Sequence, residues 1–359
     1  MRVLVLFPRF GIGGIAKAST FVANSLNEYG HEVLCVSMSD DDNFQTFNPG
    51  IRTAYIPYEV KGVITRTRKF CFLFSLRKVL AKERIECVVA LGTDIARIAT
   101  LASAYMNIRI VASERGNPFR YSVKEKKKYI KALKKCERIV FQTEEAMAFF
   151  PEEIRNKGTI IPNPCYIKGD SISAKSDLSE KVILVVSRIS EEKNVLGIVK
   201  AFEKASSEIS DYSLLIYGDG DKKEEIKSYV RQNMVENVIF YNNTPDPFRE
   251  HNNASLYVIN SFTEGMPNSL IEAMAYGIPC IATDCPPGGV RFLSDKGRRA
   301  CLVPVNDDHA LAMAMVKVIK ESDYRNRLID ASQEITAVLD PKLISKKWVS
   351  IIDEPFAIS

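Results

Sequence analysis

Residues 260–289 read NSFTEGMPNSLIEAMAYGIPCIATDCPPGG. Two carboxylates, Glu264 and Glu272, stand eight positions apart. Between them lie Gly265, Met266, Pro267, Asn268, Ser269 and Leu270, where a glycine–proline stretch gives way to an apolar run. Pro267 suits a first helical turn, because its missing N–H would have no partner there. Leu270, Ile271, Met274 and Ala275 recur at helical spacing, and Gly277 marks a stop. Residues 278–283 then read as a short buried strand. This places Glu264 on the loop entering the helix and Glu272 about one turn inside it. Backbone N–H groups at such a helix start lack intrahelical acceptors, and the end attracts anions, phosphate above all. Taken singly, both acids also read as ordinary acids of a first turn.

The rest of the chain bounds the answer. Its 359 residues suffice for two domains with a substantial core in each. A hydrophobic content of 46% and a charged content of 26% are those of a soluble globular protein. No apolar run approaches a membrane span, and the apolar core of residues 3–7 is too short for a signal peptide and reads as a first strand. Eight cysteines are scattered singly and three histidines, His31, His251 and His309, lie far apart. The pattern predicts reduced thiols in the cytoplasm and argues against structural zinc. Residues 1–165 carry 26 Lys/Arg and 16 Asp/Glu, a balance of +10, while residues 166–359 carry 23 and 28, a balance of −5. A basic half beside an acidic one implies an anionic partner for the first. At this level nucleic acid and a membrane surface are both candidates.

In chain order, residues 1–7 form a strand, GIGG at 11–14 a glycine loop, residues 16–29 an amphipathic helix stopped by Gly30 and His31, and residues 32–37 a second strand. Strand, glycine loop, helix, strand opens a Rossmann-like unit. The loop departs from a dinucleotide fingerprint at Ala16, and Lys17 followed by Ala18 and Ser19 disfavours a P-loop. A tight turn that binds nothing is the plain alternative. Residues 60–86 mix Phe70, Phe72 and Phe74 with many cations, and residues 120–138, with nine Lys or Arg, predict a basic helix. Each is either a solvated face or an electrostatic footprint. Residues 88–91 and 108–112 read as further buried strands, SERGNP at 113–118 follows the second of them, FQTEEA at 141–146 comes later, IIPNP at 160–164 reads as a stiff junction, and residues 166–180 as a serine-rich connector. A strand at 182–186 then leads into SRISEEKN at 187–194, where Arg188 and Lys193 stand five apart. Further strands are expected at 213–217, 238–241, 256–259 and 301–305. Gly218 begins a turn whose Asp219 and Asp221 have metal-like spacing, a reading rejected here, and Asn243 and Thr244 follow the next strand.

These motifs resemble the retaining glycosyltransferases of family 4, of the GT-B type. The wording S-x-x-E-G-x-P-N-x-L-x-E-A-M-A-x-G-x-P is matched in register by Ser261, Glu264, Gly265, Pro267, Asn268, Leu270, Glu272, Ala273, Met274, Ala275, Gly277 and Pro279. Arg188 and Lys193 fit G-R-x-x-x-x-K-[GN], with Ser187 in place of glycine. The S-E-R-x-x-P motif is similar to a subgroup of bacterial surface-polysaccharide pathways. The first domain departs from the family where many relatives carry an acceptor-facing histidine; here Glu114 stands there, free to take that role or to pair with Arg115 or Arg120. Phe292 replaces a glutamate after Arg291.

The resemblance implies an α/β GT-B fold of two Rossmann-like domains with parallel sheets facing a central cleft. It implies an acceptor-side domain over 1–164, a nucleotide-sugar domain over 165–340, and a tail over 341–359, with Trp348, packing back on the first. It implies that Glu272 holds ribose hydroxyls, Glu264 the transferred sugar, and Arg188, Lys193 and the N–H groups within Gly265–Ser269 (Gly265, Met266, Asn268 and Ser269) the donor diphosphate, with Pro267 and Leu270 also among the donor-binding residues. Gly13 and Gly14 also border the donor, Gly218, Asn243 and Thr244 line the base, and Glu114 and Arg115 face the acceptor. Fixed cations suit a leaving group that departs as an anion. The expected reaction is transfer of a hexose or N-acetylhexosamine from a nucleoside diphosphate sugar, UDP-linked, to a saccharide hydroxyl, with no metal or other cofactor. Expected partners are the donor, a polyprenyl-diphosphate-linked acceptor and the inner face of the plasma membrane, with no nucleic acid. Two rivals stand beside this reading: a GT-B sugar-nucleotide epimerase, and a basic binding module without chemistry.

Overall fold

Apolar runs of four to seven residues alternate with amphipathic stretches along the chain, the pattern that builds parallel sheets covered by helices on both faces. A computed structural model describes residues 1–10, 13–39, 46–58, 66–167, 180–242, 244 and 246–354. The chain forms two units: Met1–Asn163 with Pro341–Ser359, and Pro164–Asp340.

In the first unit the strands are β1 (Arg2–Phe7), β2 (Glu32–Ser37), β3 (Arg52–Tyr55), β4 (Cys87–Leu91), β5 (Arg109–Ser113), β6 (Arg138–Phe141) and β7 (Gly158–Ile160). They pair in parallel in the order β3-β2-β1-β4-β5-β6-β7. The helices are α1 (Gly14–Glu28), α2 (Arg66–Lys82), α3 (Thr93–Ala102), α4 (Val123–Leu133), α5 (Glu144–Ala148) and α6 (Glu152–Arg155). β4 and β5 are buried at every position. One face of the sheet packs on α2 and α3 through Phe72, Leu76, Ile95 and Ile98. The other packs on α1 and on the chain's last helix through Val22, Leu26, Ile344, Trp348 and Ile352.

The second unit has β8 (Glu180–Val186), β9 (Ser213–Tyr217), β10 (Val238–Tyr241), β11 (Ala254–Ile259), β12 (Cys280–Thr283) and β13 (Cys301–Val303). They pair in parallel in the order β10-β9-β8-β11-β12-β13. Its helices are α7 (Val195–Ala205), α8 (Lys223–Gln232), α9 (Pro247–Glu250), α10 (Asn268–Ala275), α11 (Gly289–Leu293), α12 (Asp308–Lys320), α13 (Ser322–Ser332) and α14 (Ile335–Val338); α15 (Pro341–Asp353) belongs to the first unit. α7 and α12 cover one face and α10 the other. The fold is thus two parallel-sheet α/β domains. In each sheet the strand order reverses once, between β1 and β4 and between β8 and β11. Open parallel sheets bind ligands beyond the carboxyl ends of the strands at such a switch point.

The basic helix expected over 120–138 is shorter. A single turn at Pro118–Arg120 precedes it, and Ser122 with Glu125 forms a capping box that starts α4 at Val123. The chain then turns, and Arg138 already belongs to β6. Phe72 does not share the exposed face expected for residues 60–86: it is 1% exposed in the core, while Phe70 and Phe74 are 74% and 60% exposed. Spacing explains the split, since Phe72, Leu76 and Leu80 recur every four residues on one face of α2. Gly11, Asn243, residues 60–65 and most of the connector at 166–180 lie outside the described residues.

Candidate active site

In the second unit the two strand ends flanking the switch point supply Lys193 and Glu264. After β8 the chain runs through Ser187 and Arg188 into a single turn at Glu191–Lys193. Asn194 then adopts a left-handed conformation (φ 44°) and caps α7, its side chain accepting from the N–H of Gly197. After β11, residues 260–263 are largely buried and lead to Glu264, itself 8% exposed. Three bonds fix this loop: Thr283 donates to the carbonyl of Ser261 (2.7 Å), while Thr263 Oγ1 and the Glu264 N–H both reach the carbonyl of Pro286 (3.1 and 3.0 Å). Phe262 N–H donates to the carbonyl of Glu192 (2.9 Å), joining it to the Lys193 turn.

The side chains complete the junction. Lys193 Nζ lies 2.5 Å from Glu264 Oε1, and Ser261 Oγ donates to the same oxygen at 2.7 Å. The carboxylate is therefore oriented by a cation and a hydroxyl together, a charge-assisted arrangement. Arg188 is exposed, and its guanidinium has no hydrogen-bond or ion-pair partner among the described residues.

α10 begins at Asn268, one residue later than the sequence places its first turn; Pro267 is its N-cap in an extended conformation, and no side chain caps it. Its first N–H groups thus have no side-chain acceptor from a cap. Ser269 in that turn accepts from the hydroxyl of fully buried Tyr257 on β11 (2.8 Å), whose ionisation burial pushes far up. Tyr257 acts as a neutral strut between sheet and helix. Glu272 sits within α10 and is half-buried. Gly265 is held by close approach, since a Cβ on Gly289 would fall 1.7 Å from its carbonyl oxygen.

Gly218 follows β9 with φ +154°, and a Cβ there would lie 1.9 Å from the carbonyl oxygen of Ser187. Only glycine lets this turn meet the Arg188 segment. Buried Lys223 braces the same corner, donating to the carbonyl of Gly218 (3.0 Å) and to Asn242 Oδ1 (3.3 Å). Asp219 Oδ1 accepts from the N–H of Gly220 (2.9 Å). Thr244 Oγ1 is buried and has no hydrogen-bond partner among the described residues. The second unit therefore gathers Arg188, Lys193, Glu264, Gly265, Met266, Pro267, Asn268, Ser269, Leu270 and Glu272 on two adjoining strand ends, with Gly218 at the next strand.

The first unit holds a separate group. Gly13 is the N-cap of α1, and Gly14 its first residue, both exposed, with no side-chain cap. Glu114, at the end of β5, is 3% exposed. Among the described residues its partners are not Arg115 or Arg120. Thr93, at the start of α3, and Tyr121 (2.5 Å) both donate to its Oε2, and the Gly116 N–H donates to Oε1 (2.8 Å). Burial, then the neighbouring carboxylate, pushes the Tyr121 hydroxyl far up. Arg115 instead donates to Asn163, which also accepts from Gln142 (3.0 Å).

Sequence reading missed Ser261, Tyr257, Lys223, Thr93 and Tyr121 as organising residues. Ser261 lay inside the quoted pattern, but its tie to Glu264 needs the loop's curl. Tyr257 reads as strand core, and a lysine carries no sign that it will be buried.

Comparison with known proteins agrees with this layout. Residues 170–335 match the family described as Glycosyl transferases group 1. An uncharacterized glycosyltransferase of Haemophilus influenzae is 25% identical over 349 residues, covering 95% of this chain and 96% of that protein. A Campylobacter jejuni protein, named GalNAc-alpha-(1->4)-GalNAc-alpha-(1->3)-diNAcBac-PP-undecaprenol alpha-1,4-N-acetyl-D-galactosaminyltransferase, is 22% identical over 367 residues, covering 99% of each. Among solved structures, sucrose-phosphate synthase from Thermosynechococcus elongatus superposes with a TM-score of 0.86 at 17% identity over the whole of both chains. HepE of Anabaena in complex with UDP does so at 0.82 and 15%, covering 99% of this chain and 100% of that one. Fold and family match support one class, a GT-B glycosyltransferase. The residues that match the Glycosyl transferases group 1 description fall within the second unit.

Proposed function

We propose that the protein is a retaining family 4 glycosyltransferase that moves a hexose or N-acetylhexosamine from a UDP-linked donor to a hydroxyl of a lipid-linked saccharide in bacterial surface-polysaccharide assembly. The observation that carries this reading is the meeting of Lys193 and Glu264 at the β8/β11 switch point, beside the uncapped start of α10. A cation, an exposed arginine and a helix N-terminus favour a diphosphate there. Glu264 takes hydroxyls of the moving sugar and Glu272 those of the ribose. No side chain among the described residues stands out as a nucleophile; departure and attack on one face, with the diphosphate taking the acceptor proton, fits the group present. These cations supply the charge that a divalent ion supplies elsewhere, so turnover persists in EDTA.

The acceptor belongs to the basic first unit. The Campylobacter relative's name specifies an undecaprenol-linked acceptor, which supports a lipid-linked one here. No helix among the described residues is long and apolar enough to cross a membrane. Exposed Phe70 and Phe74, with Lys78 4.5 Å over the Phe74 ring, suit shallow contact with the anionic inner leaflet. Incubating the purified protein with a panel of nucleotide sugars tests the reading. A transferase releases nucleotide slowly to water and quickly with acceptor, an epimerase yields a new sugar nucleotide, and a binding module yields neither. Glu272→Ala should raise KM for the donor, whereas Glu264→Ala should chiefly lower kcat; equal, purely affinity-based losses would remove that assignment.

A further inference from the structure

Lys193 and Glu264 come from the two sides of the switch point and meet at a single oxygen. Both Lys193 Nζ (2.5 Å) and Ser261 Oγ (2.7 Å) are bonded to Oε1 of Glu264. Oε2 accepts no hydrogen bond among the described residues. The two charged side chains are largely withdrawn from water, 14% and 8% exposed. Of the two cations assigned to the diphosphate, Arg188 has no partner among the described residues and Lys193 is held in a neutral pair.

Resting on the nucleotide-sugar reading above, we infer that Glu264 sets the preference of this site for the intact donor over the bare nucleoside diphosphate. An ammonium group has three protons, so Lys193 can keep Oε1 and still donate to phosphate oxygens. The same carboxylate then lies a few ångströms from a group bearing two or more negative charges, and repels it. With the sugar attached, a sugar hydroxyl donates to Oε2 and offsets that repulsion. Once the sugar has left, the repulsion stands alone and the product diphosphate is held loosely. Ser261, fully buried, locks Oε1 toward the lysine and so leaves Oε2 for the ligand; it is a positioning residue.

The test is calorimetric titration of UDP, uridine and the turned-over UDP-sugar into the parent, Glu264→Gln and Ser261→Ala. Glutamine keeps the shape of the side chain and an oxygen acceptor for Lys193, and binding of uridine certifies a folded site. Glu264→Gln should bind UDP about tenfold tighter than the parent, a gain that shrinks with added salt. Uridine affinity should be unchanged, and the ratio of UDP-sugar to UDP affinity should fall. Ser261→Ala retains both charges and should shift UDP affinity by less than about threefold while lowering kcat. Equal or weaker UDP binding by Glu264→Gln overturns the inference. So does the same gain for uridine, or the same gain in Ser261→Ala, because either traces the change to a loosened loop rather than to charge. If the parent binds UDP-sugar and UDP not at all, the nucleotide-sugar reading itself fails, and this inference with it.

Discussion

Arg109→Leu should release α15 from the first unit. Arg109 is 3% exposed at the start of β5. Its Nε donates to Glu137 Oε2 at 2.9 Å, and its Nη1 donates to the carbonyl of Ile352 at 2.7 Å in the last turn of α15. One guanidinium therefore neutralises a carboxylate and caps a helix C-terminus, where a cation is favoured by the helix dipole. Leucine leaves Glu137 without its cation and the carbonyl without its donor. Removing one partner of a buried pair costs about 3–5 kcal/mol. Lysine should not rescue it, because a single ammonium cannot span both acceptors as the planar fork does. The chain's single tryptophan, Trp348, lies on the buried face of α15 at 1% exposure, so its emission reports this docking. Urea unfolding followed by that emission should move to lower denaturant by about the stated energy, and Glu137→Gln should cost less, about 1 kcal/mol. A tryptophan transition within about 0.5 kcal/mol of the parent would refute the capping role.

Gly289→Ala should displace the Glu264–Gly265 loop, since its Cβ would meet a backbone oxygen at 1.7 Å; transfer should drop by about a hundredfold or more, read as kcat/KM, with the fold retained by circular dichroism. His31 is buried, and its pKa is lowered by that burial despite nearby Asp353. A lowered folded-state pKa means the unfolded chain binds the proton more readily, so stability is full above about pH 6.5 and falls as pH drops below it. Replacing His31 with phenylalanine should flatten that slope in denaturation curves taken from pH 7.5 to 5; an unchanged slope would assign it elsewhere. Phe70→Ser with Phe74→Ser should reduce sedimentation with phosphatidylglycerol vesicles several-fold while leaving UDP binding intact, and undiminished sedimentation would return both residues to an ordinary surface.

How far the sequence carried differs between the two units. In the second, a helix-period pattern followed a glycine–proline loop, and the strand before it was wholly apolar, so the placement of Glu264, Lys193 and α10 followed from local rules. What those rules left out is contact across the chain. Lys193 and Glu264 are 71 residues apart, and no periodicity says that they share an oxygen with Ser261. In the first unit the short strands β3, β6 and β7 escaped notice. β3 reads RTAY at a sheet edge, exposed or half-buried, and so lacks an apolar run. β6 begins with Arg138 at the end of a basic stretch whose charges suggested more helix than Ser122 and the turn after Leu133 allow. Glu114 misled for a related reason: neighbouring arginines invite ion pairs, whereas hydroxyls from Thr93 and Tyr121, 21 positions before and 7 after it, hold the carboxylate in the folded chain.

Hydrogen–deuterium exchange with and without UDP tests most directly the claim that a nucleoside diphosphate binds across the β8 and β11 strand ends. Exchange should slow in peptides covering 187–194 and 261–272, centred on the amides at the start of α10. Protection confined to the first unit, or none at saturating UDP, would contradict it.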